Sequence, residues 1–581
     1  MKEDKFTIIS ELAKRRGFFW QAYEMYGGVG GFITYGPLGA RLKRKIEDKV
    51  REIFVNRLGI MEIEGPIIAP AKVFEASGHV ENFKEPMLEC SKCKRKFRAD
   101  HLLEEVAKIS ATEAEKMRLE EIKKIVESRD IRCPECGGEF NEPQYFLTMF
   151  ETRIGPYSDA VGYGRPEAAQ GVFVEFKRLY EVARGKLPFG VMQIGHALRN
   201  EISPRQGLIR LREFTIIDIE FFFDPEEQYC PVLNDVKDEK LRLILAETRL
   251  KGSEEITEVT VKEALELKYI GVPWQAVFMA FAKRLLVELG VPEDRQRFIE
   301  KLPWERAHYS KQSFDQEVYV DRWGWVEVSG HAYRTDYDLR RHMQYSGVDT
   351  RVFKEYEKPV EVERIIIKPV MTKLGPIFKE EAQKIAEMLS RVNPEDVERE
   401  IKEKGYFMLG KYKILPEHIE VAREVVKEAG KRFIPHVVEP SFGSDRLFYV
   451  TLEYAYRKKE DRVILSIPRD IAPIQVGVYP LVNRDGLPEK ALEVANMLIK
   501  EGFSVEYDDA GSIGRRYARA DEIGIPLGIT VDYETLKDDS VTIRDRDTWR
   551  QVRNQISALP ELLNKYFRKK IEFEEMGYLV S

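Results

Sequence analysis

Residues 189–223 read Phe189-Gly-Val-Met-Gln-Ile-Gly-His-Ala-Leu-Arg199-Asn-Glu201, then a polar loop Ile202-Ser-Pro-Arg-Gln-Gly207, then Leu208-Ile-Arg210-Leu-Arg212-Glu-Phe214-Thr-Ile-Ile-Asp218-Ile-Glu220-Phe-Phe-Phe223. Two strand-like runs around a polar loop predict an antiparallel hairpin. The second run alternates: Ile217, Ile219 and Phe221 face one way, Asp218 and Glu220 the other. Counting back by twos puts Phe214, Arg212 and Arg210 on the face of Asp218. On the first run Arg199 and Glu201 share a face. A ribbon that gathers carboxylates, arginines and an aromatic ring on one surface requires ligands, because burying unpaired charge is costly.

Upstream, Leu42, Ile46, Val50, Phe54 and Leu58 recur every four residues and Gly59 follows, which predicts a helix over 38–58. The strand-like run after Ile60 meets Pro66, which cannot donate to a ladder, so that strand should end there or lie at an edge. Residues 84–143 read as an insertion, 230–300 as a helical insertion, Val318–Val328 as a strand region, and 354–430 as a charged segment of mixed strands and helices. From about 461 the texture becomes that of a compact α/β domain, with strands at 474–479, 503–507, 526–531 and 541–544 and helices at 489–501, 513–522 and 548–568.

The 581 residues allow three to four structural units. With 43% hydrophobic and 33% charged residues the chain is globular rather than disordered. No run reaches the ~18 apolar residues of a membrane span, and the N-terminal sequence has no signal-like apolar region. The expectation is a cytoplasmic protein with no membrane partner. A net charge of −6 gives no global attraction for nucleic acid, so any polyanion must be met by local patches.

Four of the five cysteines form two Cys-x-x-Cys pairs, Cys90/Cys93 and Cys133/Cys136. The functional reading is a tetrahedral structural Zn²⁺ site of four thiolates; the bland one is two unrelated reduced pairs. The 39 residues between the pairs exceed the usual spacing, but a helical excursion can close the gap. Cys230 reads as a plain buried thiol. The eight histidines form no ligand cluster, and Gly27–Gly31 lacks the spacing of a phosphate loop. The charged helical stretches at 102–127 and 379–404 read as solvated faces.

Arg199-Asn200-Glu201 with Arg212-Glu213-Phe214 resembles motif 2 of class II aminoacyl-tRNA synthetases. The helix 38–58 with Pro66 resembles motif 1, and Glu439-Pro-Ser-Phe-Gly-Ser-Asp445-Arg446 resembles motif 3. Tyr35-Gly-Pro-Leu-Gly39, Arg165-Pro-Glu-Ala-Ala-Gln-Gly171 and Glu439–Ser441 are similar to glycyl-tRNA synthetases of the archaeal and eukaryotic dimeric type, and Ala472-Pro-Ile-Gln-Val476 resembles the start of their anticodon-binding domain. The resemblance implies an α+β class: an antiparallel catalytic sheet flanked by helices over 1–460, carrying the three insertions and the four-cysteine element, then an α/β anticodon-binding domain over 461–581. Two departures stand out. The family usually has Glu where Asp218 stands, and commonly glycine at Asp445.

That family joins glycine to tRNA through a glycyl-adenylate, using ATP and Mg²⁺, as a homodimer. Carried onto these positions, Arg199, Glu201 and Arg446 become the catalytic set, with Arg199 on the α-phosphate. ATP binding falls to Arg199, Asn200, Glu201, Arg210, Leu211, Phe214, Glu327, Val328 and Arg446, with Phe214 stacking on the base, Glu201 accepting from the adenine amine and Glu327 holding Mg²⁺. Glycine falls to Glu167, Asp218 and Glu439 at its ammonium and Ser441 beside its α-carbon. Three carboxylates this close imply coupled, partly raised pKa values in the empty pocket. Arg205 is placed to guide the tRNA. Residues 463–581 carry 16 basic against 20 acidic residues, a net of −4, so anticodon reading should rest on base contacts and stacking. Arg515-Arg516-Tyr-Ala-Arg519 and Arg544-Asp-Arg546 stand open between tRNA contacts and structural ion pairs. Two other readings predict different features: a non-catalytic nucleic-acid-binding homologue would have lost the arginines and acids, and a relative acting on alanine or serine would use the space left by Asp218.

Overall fold

The structure, a computed structural model, describes residues 4–109, 111–114, 117–156, 160–202, 204, 207–227 and 229–580. Arg205 lies outside the described residues. The chain forms two compact units, residues 1–350 with 435–581 and residues 351–434.

The predicted hairpin is present and sits inside a nine-stranded sheet of the larger unit. Its strands are β1 (Met61–Ile63), β2 (Phe189–Leu198), β3 (Glu213–Phe223), β4 (Lys240–Ile244), β5 (Thr257–Thr260), β6 (Gln296–Glu300), β7 (Gln312–Val320), β8 (Gly324–Thr335) and β9 (His436–Gly443). The spatial order is β5-β4-β6-β7-β8-β9-β3-β2-β1. Neighbours are antiparallel except β1 with β2 and β4 with β6. β1 ends at Ile63 and is an edge strand, as Pro66 requires.

Alternation in β3 decides which face is which. Ile217, Ile219 and Phe221 pack toward helix α2 (Pro273–Glu288), where Phe221 meets Trp274 at 4.2 Å and Phe278 at 5.3 Å between ring centroids. This helix is apolar nearly all round and is buried accordingly. Helix α1 (Pro37–Val50) joins the same core and continues through a π turn at Arg51–Asn56 before Gly59 stops it at φ +64°. A stripe repeating every four residues drifts around an α-helix of 3.6 residues per turn. The wider π turn returns Phe54 to the buried line, against Phe278 and Phe442. With this side sealed, the opposite face of β3 is left to its polar residues.

Two expectations change. The segment 230–300 is not purely helical: β4, β5 and β6 extend the central sheet. They are only four or five residues long, and their pairing is non-local, so the long apolar helix dominates the sequence pattern. Likewise 548–568 begins with a strand, Gln551–Gln555, before the helix Leu559–Phe567; its pairing with Ser540–Asp545 overrides the helical reading.

The insertion 84–143 has its own small core around Leu88, Phe97, Leu102 and Ile122. The C-terminal part builds a six-stranded sheet around a separate core including Val476, Leu498, Ile529 and Ile543. The smaller unit is a two-stranded ribbon, Val352–Pro369 with Ile419–Phe433, carrying helices and a short hairpin around Leu374, Ile385 and Ile414. Among the described residues, no helix is long and apolar enough to cross a membrane.

Candidate active site

The polar face of β3 opens into a cavity of about 430 Å³. Of the site residues expected from sequence, Arg199, Glu201, Arg210, Leu211, Phe214, Glu327, Val328 and Arg446 line one part of it, and Glu167, Asp218, Glu439 and Ser441 the other. Asn200 is not among the lining residues; its backbone N–H donates to Thr148 O at 2.7 Å. Arg212, although on the predicted face, is spent on carbonyls: its guanidinium donates to Glu201 O and Gly30 O, at 2.8 Å each from its two Nη atoms.

At the cationic end Arg199 donates to Pro166 O at 3.1 Å and lies over the Phe214 ring, 5.4 Å from its centroid. Phe214 is thus a platform for the guanidinium. Arg446 leaves the helix α3 (Ser444–Ala455) and donates to Ile209 O at 3.0 Å and Glu327 O at 2.7 Å, with its Nη1 also 3.1 Å from Glu327 Oε2. Burial alone would raise Glu327, but Arg446 and Lys301 outweigh it and hold the carboxyl at about 2. Asp315, across the β7–β8 hairpin, behaves oppositely: burial and the nearby Glu327 push it up to about 7 despite Lys301 at 2.9 Å. Glu201 has one carboxylate oxygen buried without a hydrogen bond, 3.9 Å from Arg210 Nε.

At the acidic end sequence reasoning missed the organising group, Arg334. It has no exposed surface and donates to Asp338 through Nε at 2.8 Å and Nη2 at 2.9 Å, and to Glu439 through Nη1 at 2.7 Å; Nη2 lies 3.5 Å from Glu167. Tyr309 lies beneath it, 3.6 Å from ring centroid to guanidinium carbon. Glu167 also faces His79 Nε2 at 3.2 Å. Burial raises it, yet His79 and Arg334 outweigh that, and its pKa falls well below the usual carboxylate range. Asp218 accepts from the backbone N–H of Ala168 at 2.7 Å and from Ser441 Oγ at 2.5 Å; burial nevertheless raises it. Burial, with Asp218 and Glu167 nearby, lifts Glu439 to about 7 even against Arg334. The expected coupling among the three acids is therefore split, two raised and one lowered. Glu220 is buried with neither oxygen hydrogen-bonded, and burial, with Glu439 nearby, pushes it far up. The clue to Arg334 was slight: one arginine four residues before Asp338, near the end of a strand that also carries Glu327 and His331.

The shorter Asp218 keeps its carboxyl against the Ala168 and Ala169 amides. Asp445 is also accounted for: it accepts from Lys43 Nζ at 2.9 Å and Thr215 N at 2.6 Å.

The four-cysteine element is a second candidate site. Cys90 Sγ lies 3.5 Å from Cys136 Sγ, Cys93 Sγ lies 3.7 Å from Cys133 Sγ, and all four sulfurs fall within 4.8 Å of one another. A tetrahedron with Zn–S bonds of about 2.3 Å has S···S edges of about 3.8 Å. The two knuckles repeat one geometry: Lys94 N and Gly137 N donate to Cys90 O and Cys133 O, and Cys90 N and Cys133 N donate to Arg95 O and Gly138 O. Lys94 and Gly137 both take positive φ, +61° and +68°, to close those turns. The element also reaches the main cavity, through Glu85 and Arg98.

In the C-terminal part most of the arginine clusters are structural. Arg516 is buried and donates to Asp509 O at 2.6 Å and Gly511 O at 2.8 Å. Arg544 pairs with Asp521 at 3.0 Å, Arg519 with Asp508, and Arg546 donates to Gly524 O at 2.9 Å; Arg515 alone of the five is exposed.

Comparison with known proteins adds independent findings. The family model for the anticodon binding domain matches residues 475–566. The chain is similar to glycine--tRNA ligases from Pyrococcus horikoshii (50% identical; 97% of this chain and 99% of the relative), Aeropyrum pernix (48%; 99% of each) and Methanothermobacter thermautotrophicus (45%; 95% and 98%). Its fold is similar to a crystal structure of prolyl-tRNA synthetase from Cryptosporidium parvum complexed with L-proline and AMP, at 13% identity and TM-score 0.50, covering 98% of this chain and 78% of that one.

The Arg334 cluster has a direct consequence for stability. Arg334→Met leaves Asp338, Glu439 and Glu167 buried around an uncharged side chain, and breaking a buried ion pair in this way costs about 3–5 kcal/mol. The thermal unfolding midpoint of the full chain should fall clearly at neutral pH; an unchanged midpoint would refute the bracing role.

Proposed function

The chain belongs to the glycine--tRNA ligase family, and on that premise we propose that it joins glycine to the 3′ end of its tRNA, using ATP, through a glycyl-adenylate. The observation that carries the reading is a single cavity with guanidinium groups at one end and a wall of carboxylates at the other. The first end suits a nucleotide triphosphate and the second a small ammonium group.

In the first step the glycine carboxylate attacks the α-phosphorus, forming the mixed anhydride and releasing pyrophosphate. Two anions must approach, and charge builds on the phosphoryl oxygens, so fixed cations aimed there lower the barrier. Arg199, held by Pro166 O and cushioned by Phe214, is the group for the α-phosphate. Arg446 and Arg210 are placed for the outer phosphates, and Glu201 for the adenine amine. Glu327 would hold Mg²⁺, with Asp315 as a second oxygen donor from the facing strand; when bound, the ion neutralises phosphate charge. In the second step a terminal ribose hydroxyl of the tRNA attacks the anhydride carbonyl and AMP leaves, a step that depends mainly on positioning.

Glycine offers no side chain to grip, so selection rests on its ammonium group and on excluding anything larger. Glu167, Asp218 and Glu439 supply the charge. Ser441, fixed by its bond to Asp218, closes the space beside the α-carbon. An added methyl is rejected by only about 1–3 kcal/mol through lost apolar fit, so rigid closure must supply more. We further propose a homodimer built on α1, a cytoplasmic location, residues from about 461 as the anticodon-binding domain, and a structural Zn²⁺ held by Cys90, Cys93, Cys133 and Cys136, whose spacing fits that ion.

The deciding assay is ATP–pyrophosphate exchange dependent on glycine, with alanine and serine as controls. Exchange should appear with glycine and be far weaker with the other two; no exchange with any amino acid would remove the enzymatic reading. Arg199→Ala should lower exchange by a factor on the order of 10²–10³ in folded protein, and near-normal turnover would contradict its role. Because an ammonium prefers the ionised form of Glu439, whose pKa is lifted to about 7 in the empty pocket, the KM for glycine should rise as pH falls from about 8 to 6. Glu439→Gln should flatten that slope; a flat wild-type profile would reject the assignment. Elemental analysis should find one zinc per chain, lost in Cys133→Ser, and metal-free native protein would retire the zinc site.

A further inference from the structure

Helix α3, which carries Arg446, begins with two side chains that both reach α1. Ser444 Oγ donates to Glu47 Oε1 at 2.9 Å, and Asp445 Oδ1 accepts from Lys43 Nζ at 2.9 Å. Lys43 and Glu47 are four residues apart and so share one face of α1. Asp445 takes two more donors. The Tyr35 hydroxyl bonds the same Oδ1, and Thr215 N of β3 donates to Oδ2 at 2.6 Å. The Lys43 ammonium also sits over the Tyr35 ring, 4.4 Å from its centroid, and bonds Thr215 Oγ1 at 2.7 Å. Asp445 is 3% exposed and the Lys43 side chain 12%. One carboxylate thus ties α1, the segment leading into it, and β3 to the first turn of α3. The residue that follows it, Arg446, spans from that turn to Ile209 O and Glu327.

A buried ion pair is weak evidence for stability, since an apolar pair of equal volume often does as well. An apolar contact would not, however, fix the rotation of the first turn of α3, whereas four directed hydrogen bonds from different elements do. The direction in which Arg446 leaves the helix follows from that rotation.

We propose that Asp445 is a positioning residue for ATP: with Lys43 it latches the start of α3 to α1, and the latch aims the Arg446 guanidinium into the cavity. The inference rests on the reading of Arg446 as an ATP-binding group. A plainer role, an acid offsetting the N-terminal dipole of α3, would need neither Lys43 nor Arg446, which separates the two.

The test measures equilibrium binding of ATP, and separately of glycine, to the full chain and to Asp445→Asn, Lys43→Met, Arg446→Lys and the double variant Asp445→Asn/Arg446→Lys. Asn keeps the size of the side chain but has one acceptor oxygen where Tyr35 and Thr215 use two, so one of those bonds is lost as well; Lys43→Met leaves both intact and carries the test alone should Asp445→Asn fold poorly. Asp445→Asn and Lys43→Met should each weaken ATP about tenfold, less than the ~10²-fold that a full 1 Å misplacement can cost, with the glycine Kd within about twofold. Asp445→Asn should add little once Arg446 has lost its planar fork, because the two act in series. The latch is overturned by an unchanged ATP Kd in Lys43→Met, by equal weakening of both ligands, or by an Asp445→Asn effect of the same size in both Arg446 backgrounds. Failure of the unsubstituted chain to bind ATP at all would instead strike the underlying ATP reading.

Discussion

The guanidinium of Arg334 is what lets carboxylates from several segments share one wall of the cavity. Of these, Glu167 before a short helix, Asp218 in β3 and Glu439 in β9 line it, while Asp338 after β8 and Glu220 in β3 are buried outside its lining. Brought together without a cation, they would repel and take up protons until the wall was largely neutral. Arg334 bonds Asp338 and Glu439 and approaches Glu167, while Asp218 is met by backbone amides and a hydroxyl. Glu220 has no hydrogen-bond partner, and burial shifts its carboxyl toward the neutral form. The wall thus keeps its negative charge at fixed points.

This wall depends in turn on the two-faced character of β3. Its apolar residues are anchored by α2 and α1, so a slip of one residue would send Asp218 and Glu220 into the hydrocarbon core and Ile217 and Ile219 into the cavity. The aromatic packing of Phe221 and Phe54 therefore acts on the chemistry at a distance, by fixing the register in which charges are displayed. The same sheet joins the two parts of the cavity. β8 and β9 contribute both Glu327 and Glu439, and α3 returns Arg446 across the strand ends.

The four-cysteine insertion is part of this construction. It departs from the chain just after His79, which faces Glu167, and its first strands carry Glu85 and Arg98 into the cavity lining. The two knuckles close the base of those strands, where the four sulfurs lie within 4.8 Å of one another.

Legible in the amino-acid order alone were the hairpin, the alternation of β3, the stripe of α1, the edge position of β1 and the two Cys-x-x-Cys knuckles, and, through motif resemblance, twelve of the residues that line the cavity; Lys301, Tyr309 and Asp315, which also line it, were not. These features are written locally, in periods of two and four or in spacings of three. The balance of charge and the meeting of strands came only with folding. Arg334 looks like any other arginine until folding surrounds it with acids. Arg516 and Arg544 read as possible nucleic-acid contacts until they prove to be buried and paired. β4, β5 and β6 are too short to announce themselves and are held by pairing with one another and with β7. Compensation of buried charge and strand pairing depend on neighbours far apart in sequence, and one-dimensional pattern holds no record of those distances.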